Sequence, residues 1–102
     1  MIGKLRRNVI MRDWYDETEY FYHTHGYDIR CAAMNIKTLD SMMYYLNKNP
    51  KYGYIGFCHD YIGAQDGCGH VVAQFHNNTT IMFRGVEIII DNDMENEQMK
   101  IW

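Results

Sequence analysis

The sequence predicts an α+β fold: an antiparallel sheet of about five or six strands with one main helix packed on one face. Three observations carry that expectation. Residues 38–48 repeat apolar side chains at helical spacing, most other segments alternate apolar with polar residues, and glycine or asparagine punctuates the alternating runs. The 102 residues suit a single domain spanning 1–102, since domains commonly hold about 100–150 residues.

In chain order, Glu19–His23 reads as a strand, with Tyr20 and Tyr22 on one face and Phe21 on the other. Thr24-His25-Gly26 supplies a turn, and Tyr27–Met34 continues as its partner strand, with Tyr27, Ile29, Cys31 and Ala33 sharing a face. The helix at 38–48 takes Thr38 as N-cap and Asp40 in its first turn, where the helix dipole favours an anion. Leu39, Met42, Met43 and Leu46 form its apolar stripe at i, i+3, i+4 and i+7, and Tyr44 and Tyr45 flank the stripe. Lys48 suits the carboxyl end, and Pro50 forces Asn49 out of helical conformation.

Beyond the helix, Tyr52–Cys58 reads as a strand relieved by Gly53 and Gly56, and 59–69 as a Gly- and Asp-rich loop. Val71, Ala73 and Phe75 alternate with polar neighbours, Asn77-Asn78 offers a turn, and Thr79–Phe83 returns. Gly85 marks a bulge or turn before Val86–Ile90, and residues 92–100 read as a short helix or a frayed tail.

Composition is that of a folded chain, 47% hydrophobic and 23% charged. No apolar run approaches the roughly 20 residues that a membrane-spanning helix needs. The basic start, Met1 to Arg7, is not followed by the apolar stretch of about 7–15 residues that a secretory signal requires, so a cytoplasmic location is expected. Cys31, Cys58 and Cys68 are then expected as reduced thiols.

The net charge of −3 is unevenly spread. Lys4, Arg6, Arg7 and Arg12 make a basic beginning, an acidic cluster of Asp13, Asp16, Glu17 and Glu19 follows, and Asp91, Asp93, Glu95 and Glu97 form a second acidic run. A general duplex binder needs a basic excess, because phosphate contacts dominate that affinity. The balance here is opposite, and acidic runs attract basic surfaces.

Four side chains invite a metal reading: Cys58, His59, Cys68 and His70 surround a Gly-rich stretch, with His23 and His25 as a further pair. Their spacings do not match zinc ligand pairs separated by two to four residues, and no metal or cofactor is expected. Gln65-Asp-Gly-Cys68-Gly-His70 resembles the segment preceding the nucleophile of papain-like cysteine proteases. The nucleophile that this resemblance implies would fall at Val71, which cannot serve. The carboxylates of Asp13, Asp16, Glu17 and Glu19 read as a surface stretch rather than a tuned acid–base pair. GxGxxG, Walker A, GxSxG and HExxH patterns are all missing from the sequence. A non-enzymatic role is expected.

Tyr52-Gly53-Tyr54-Ile55-Gly56-Phe57 resembles the inner positions of the RNP1 motif of RNA-recognition domains. That resemblance implies Tyr52 and Tyr54 as stacking platforms for single-stranded nucleic acid. Pro50 and Lys51 stand where the family has its basic residue and glycine, and the chain lacks room for the family's extra strand.

Nine tyrosines and two tryptophans are more rings than a domain of this size needs for its core. Tyrosine couples a flat apolar body to a polar tip and is enriched where proteins grip one another. Trp14, Tyr20, Tyr22 and Tyr27 are therefore expected as partner-binding anchors, rimmed by Asp16, Glu17 and Glu19. One helix covers one sheet face, which leaves the other for a partner or a second copy. In overall character the chain is small, acidic, tyrosine-rich and free of enzymatic motifs. It thus resembles phage-encoded anti-CRISPR and other anti-defence inhibitors, a family without a common motif. The resemblance implies a protein that covers the basic nucleic-acid-binding surface of a bacterial immune effector.

Overall fold

A computed structural model describes the backbone of residues 1–65 and 71–102, and side chains outside 58–79. Among the described residues, the strands are β1 (Ile2–Lys4), β2 (Cys31–Met34), β3 (Gly56–Gln65), β4 (Val71–Phe83), β5 (Val86–Ile90) and β6 (Gln98–Ile101). The helices are α1 (Ile10–His25) and α2 (Ile36–Lys48), with 3-10 turns at Arg7–Val9 and Pro50–Tyr52. All six strands form one sheet in the order β1-β6-β2-β5-β4-β3. The α+β class is as expected, but the sheet is mixed rather than antiparallel: β2 and β5 run parallel, with Cys31 level with Glu87 and Met34 with Ile90. After β2 the chain crosses through α2, spends its next strands on the β3–β4 pair, and lands β5 beside β2 in the same direction.

The largest departure is α1. Glu19–His23 is not a strand; it is the end of a 16-residue helix, and residues 27–30 are not strand either. The short alternation Tyr20-Phe21-Tyr22 fits a period of two, but a longer stripe decides the matter. Ile10, Trp14 and Phe21 lie on one helical face and are all buried, while Tyr20 and Tyr22 are exposed. Gly26 ends the helix with φ 79°, a left-handed conformation natural to glycine, and its N–H donates to the Tyr22 carbonyl at 2.7 Å.

The helix expected at 38–48 is α2, and it starts two residues earlier. Asn35, not Thr38, is the N-cap: its side-chain oxygen accepts the Thr38 N–H at 2.8 Å. Thr38 is buried, and its hydroxyl oxygen accepts the Glu97 N–H at 3.0 Å. Leu39, Met42 and Leu46 are buried as the stripe requires, and Asn49 and Pro50 end the helix.

Residues 59–65 continue β3 rather than forming a loop, and β4 passes through Asn77-Asn78 without turning. The β3–β4 register shifts between Asp60 and Tyr61, as at a bulge. β4 meets β5 only through Ile81–Phe83, so β3 and β4 extend past the rest of the sheet as a two-stranded ribbon. The turn at Gly85 is as expected: Arg84 (φ 49°) and Gly85 (φ 81°) are both left-handed, the backbone of a tight primed hairpin. The segment 92–100 is neither helix nor tail, since Gln98–Ile101 form β6 between β1 and β2.

One face of the sheet and both helices enclose the core. Ala32, Met34, Ile81, Phe83, Ile88, Met99 and Ile101 meet Trp14, Leu39 and Met42 there. Trp14 packs edge-on against Phe83, with ring centroids 5.2 Å apart. Among the described residues no helix is long and apolar enough to cross a membrane.

Candidate recognition groove

Helical spacing places Tyr15, Thr18, Glu19 and Tyr22 at i, i+3, i+4 and i+7, so they form one ridge along the side of α1. The β4–β5 turn, with Arg84 and Gly85, and the Asp28–Ile29 segment face that ridge across an open groove of about 770 Å³. The buried Trp14 and Val86 are its floor.

The groove's wall is braced by Arg84. Its guanidinium donates to the Tyr15 hydroxyl at 3.0 Å and to the Tyr52 carbonyl at 3.3 Å, and lies 5.7 Å from the centre of the Tyr15 ring. Tyr52 stands 6.4 Å from Tyr15 and 5.9 Å from Tyr45, centroid to centroid, which links the groove to the end of α2. Outside the groove, at the carboxyl end of α1, Phe21 stacks on His25 at 4.1 Å, and Tyr27 packs edge-on against both rings. The Phe21 carbonyl lies 3.2 Å from His25 Nδ1, where it accepts a hydrogen bond from the tautomer protonated at Nδ1.

The sequence-predicted anchors do not form one patch. Tyr20 and Tyr22 sit on opposite flanks of α1, because two residues subtend about 200° around a helix. Tyr22 joins the groove, whereas Tyr20, 62% exposed, faces away. Trp14 is 3% exposed, a core residue that supports the groove rather than an anchor that a partner grips. Tyr27 is exposed beside Phe21 and His25.

The acidic cluster is likewise divided. Glu19 rims the groove and lies 3.5 Å from His23, and Asp16 is exposed on the outer side of α1. Glu17 turns toward β1: it accepts the Lys4 N–H at 3.3 Å, and a Cβ on Gly3 would stand 2.6 Å from its carboxylate. Asp13 is buried and structural. Its carboxylate takes two side-chain hydrogen bonds from Arg6, both 2.9 Å, and the Arg6 backbone N–H at 2.8 Å. The bond from the Arg6 guanidinium holds the Asp13 carboxyl below the ordinary range, although burial opposes that shift.

Tyr52 and Tyr54 do not form the expected strand platform, because residues 53–55 are not strand and Tyr52 belongs to a 3-10 turn. Tyr52 is half-buried in the Tyr15–Tyr45 stack, while Tyr54 is 80% exposed. The side chains of Cys58 and His59, and all of Cys68 and His70, lie outside the described residues. Among the described residues, no three His, Cys, Asp or Glu side chains gather to hold a metal.

Sequence reasoning missed Tyr15, Asp28 and Arg84. The signal for Tyr15 was its i+7 spacing to Tyr22, visible once 10–25 is treated as helix; Arg84 had none beyond its place before Gly85. No protein-family model, curated protein or solved structure matches this chain. The fold and groove define a small α+β protein with a mixed sheet and an aromatic, acid-rimmed cleft.

Proposed function

We propose that this is a non-enzymatic binding protein, an inhibitor or adaptor, that holds a basic segment of another protein in the groove between α1 and the β4–β5 turn. The observation that supports it most is the joining of exposed Tyr15 and Tyr22 with the carboxylates of Glu19 and Asp28 over a buried floor. Aromatic rings offer contact area at low cost in rotamer freedom, and exposed carboxylates steer and orient a lysine or arginine. Arg84 is tied to Tyr15 and Tyr52, so one wall is set before a partner arrives.

The partner class that fits this chemistry is a basic, nucleic-acid-binding effector, as the resemblance to anti-CRISPR inhibitors implies, met in the cytoplasm. Carboxylates are drawn to the same positive field that holds phosphates. The test is capture from lysate with and without nuclease, followed by binding kinetics of the captured protein. Reversal of Glu19 and Asp28 to lysine is expected to slow association at low salt and leave the fold intact. Association unchanged by that reversal counts against the groove, and saturable binding of short single-stranded oligonucleotides counts against a protein partner.

A further inference from the structure

Opposite the helices, the sheet shows a second face that no described element covers. Across the strands, one row on this face runs Ile2, Lys100, Ala33 and Ile89, on β1, β6, β2 and β5. Ile2 is 60% and Ile89 37% exposed, although both are large and apolar. The next row holds Trp102, Cys31, Glu87 and Met82, with Trp102 and Cys31 joined by backbone hydrogen bonds. Scattered exposed apolar side chains are ordinary on a protein surface. Lys100 and Glu87, set among them, give this face one charge of each sign.

Lys100 on β6 and Glu87 on β5 lie on either side of β2, each one strand spacing from it, about 4.8 Å. Within one chain the strand between them keeps them apart, and neither forms an ion pair among the described residues. Lys100 Nζ leans to within 5.9 Å of the Trp102 ring, which brings the ammonium toward the row that contains Glu87.

We infer that this face joins a second copy of the same chain, sheet to sheet, about a two-fold axis running along β2. That axis lays β2 on β2 and β6 of each copy over β5 of the other. Lys100 then meets the second copy's Glu87, and the relation repeats on the other side of the axis. Ile89 fills the space between, beside the already buried Ala33. Two-fold interfaces are self-complementary in this way, with each residue meeting its counterpart's partner. A heterologous basic or acidic partner satisfies one of the two charges; a second copy satisfies both.

The surface lies opposite the groove, so the dimer and the groove fail or succeed separately. Sedimentation velocity over a wide concentration range is expected to show a monomer–dimer equilibrium for the native chain. Lys100→Glu and Glu87→Lys are each expected to weaken self-association by about a hundredfold, because like charges then face each other twice. Circular dichroism verifies that each variant folds. Mixing the two variants is expected to restore a dimer, since Glu at 100 then meets Lys at 87 and Lys at 100 meets Glu at 87. A native chain that stays monomeric overturns the inference, as does a dimer indifferent to either variant or a mixture that fails to assemble. If one single variant does not fold, the Lys100→Glu/Glu87→Lys double variant decides between the outcomes: its dimer is expected within about tenfold of the native one, and a monomer overturns the inference.

Discussion

Arg84 donates a 3.0 Å hydrogen bond to the Tyr15 hydroxyl, and this contact fastens the β4–β5 turn to the side of α1. Arg84 does so from a left-handed backbone at φ 49°, which non-glycine residues seldom adopt. Conformational strain of about 1 kcal/mol is therefore held at a solvent-exposed corner. Arg84→Gly removes both the strain and the tether. The expected outcome is a thermal midpoint equal to or above the native one, together with weaker partner binding. A lowered midpoint with unchanged binding would show that the side chain serves stability alone.

Charge reversal at Glu19 and Asp28 separates rim from core. Both side chains are exposed, so stability is expected to change by less than about 0.5 kcal/mol in denaturant titration. The association rate is expected to fall and to lose its dependence on salt.

Phe83→Ala opens a cavity against Trp14 beneath the groove. Phe83 is fully buried, so the loss of stability is expected at about 3–5 kcal/mol in a chemical denaturation curve. Trp14 emission is expected to shift to the red as its edge-on neighbour disappears.

Asp13 sets an acid limit. Its carboxyl titrates lower in the folded chain than in the unfolded one, so its contribution is fully present above the ordinary carboxylate value of about 3.9. As pH falls through that window toward the folded-state value, the contribution drains away. Stability curves of the native chain and Asp13→Asn are expected to lie apart at neutral pH and to converge in acid. Parallel curves across the whole range would contradict the assignment.

Gly26→Ala probes the end of α1. With φ at 79° the added Cβ meets no neighbour, so the cost is backbone strain alone, about 1 kcal/mol. A strand turn at Thr24-His25-Gly26 has no corresponding helix signal to lose, so circular dichroism of the variant distinguishes the two structures.

Much of this architecture was legible where local and long-range preferences agree. α2 has one apolar stripe, a polar cap and a proline stop, and Val86–Ile90 follows a turn dipeptide into a strongly β-branched run. α1 was illegible because Tyr20, Phe21 and Tyr22 satisfy a strand over three residues, while the helical stripe needs Ile10, Trp14 and Phe21 together. β6 was masked by the acidic run before it, although Met99 and Ile101 do alternate with Gln98 and Lys100. The groove joins Tyr15, Asp28 and Arg84 across the tertiary fold. No spacing along the chain reports such a meeting, and a strand at 19–23 would also set Tyr20 and Tyr22 on a common face.

The position of β6 has a consequence for folding. Ile2 pairs with Lys100 and Gly3 with Met99, and β6 also binds the far side of β2. Folding must therefore bring Ile2–Lys4 onto Gln98–Ile101 across most of the 102 residues. α1 and α2 can form without that pairing, but a third of the sheet closes only when residues 98–101 take their place beside β2. Such distant closure slows folding, and the bare edge of β2 during that interval is where a chaperone would find its hold.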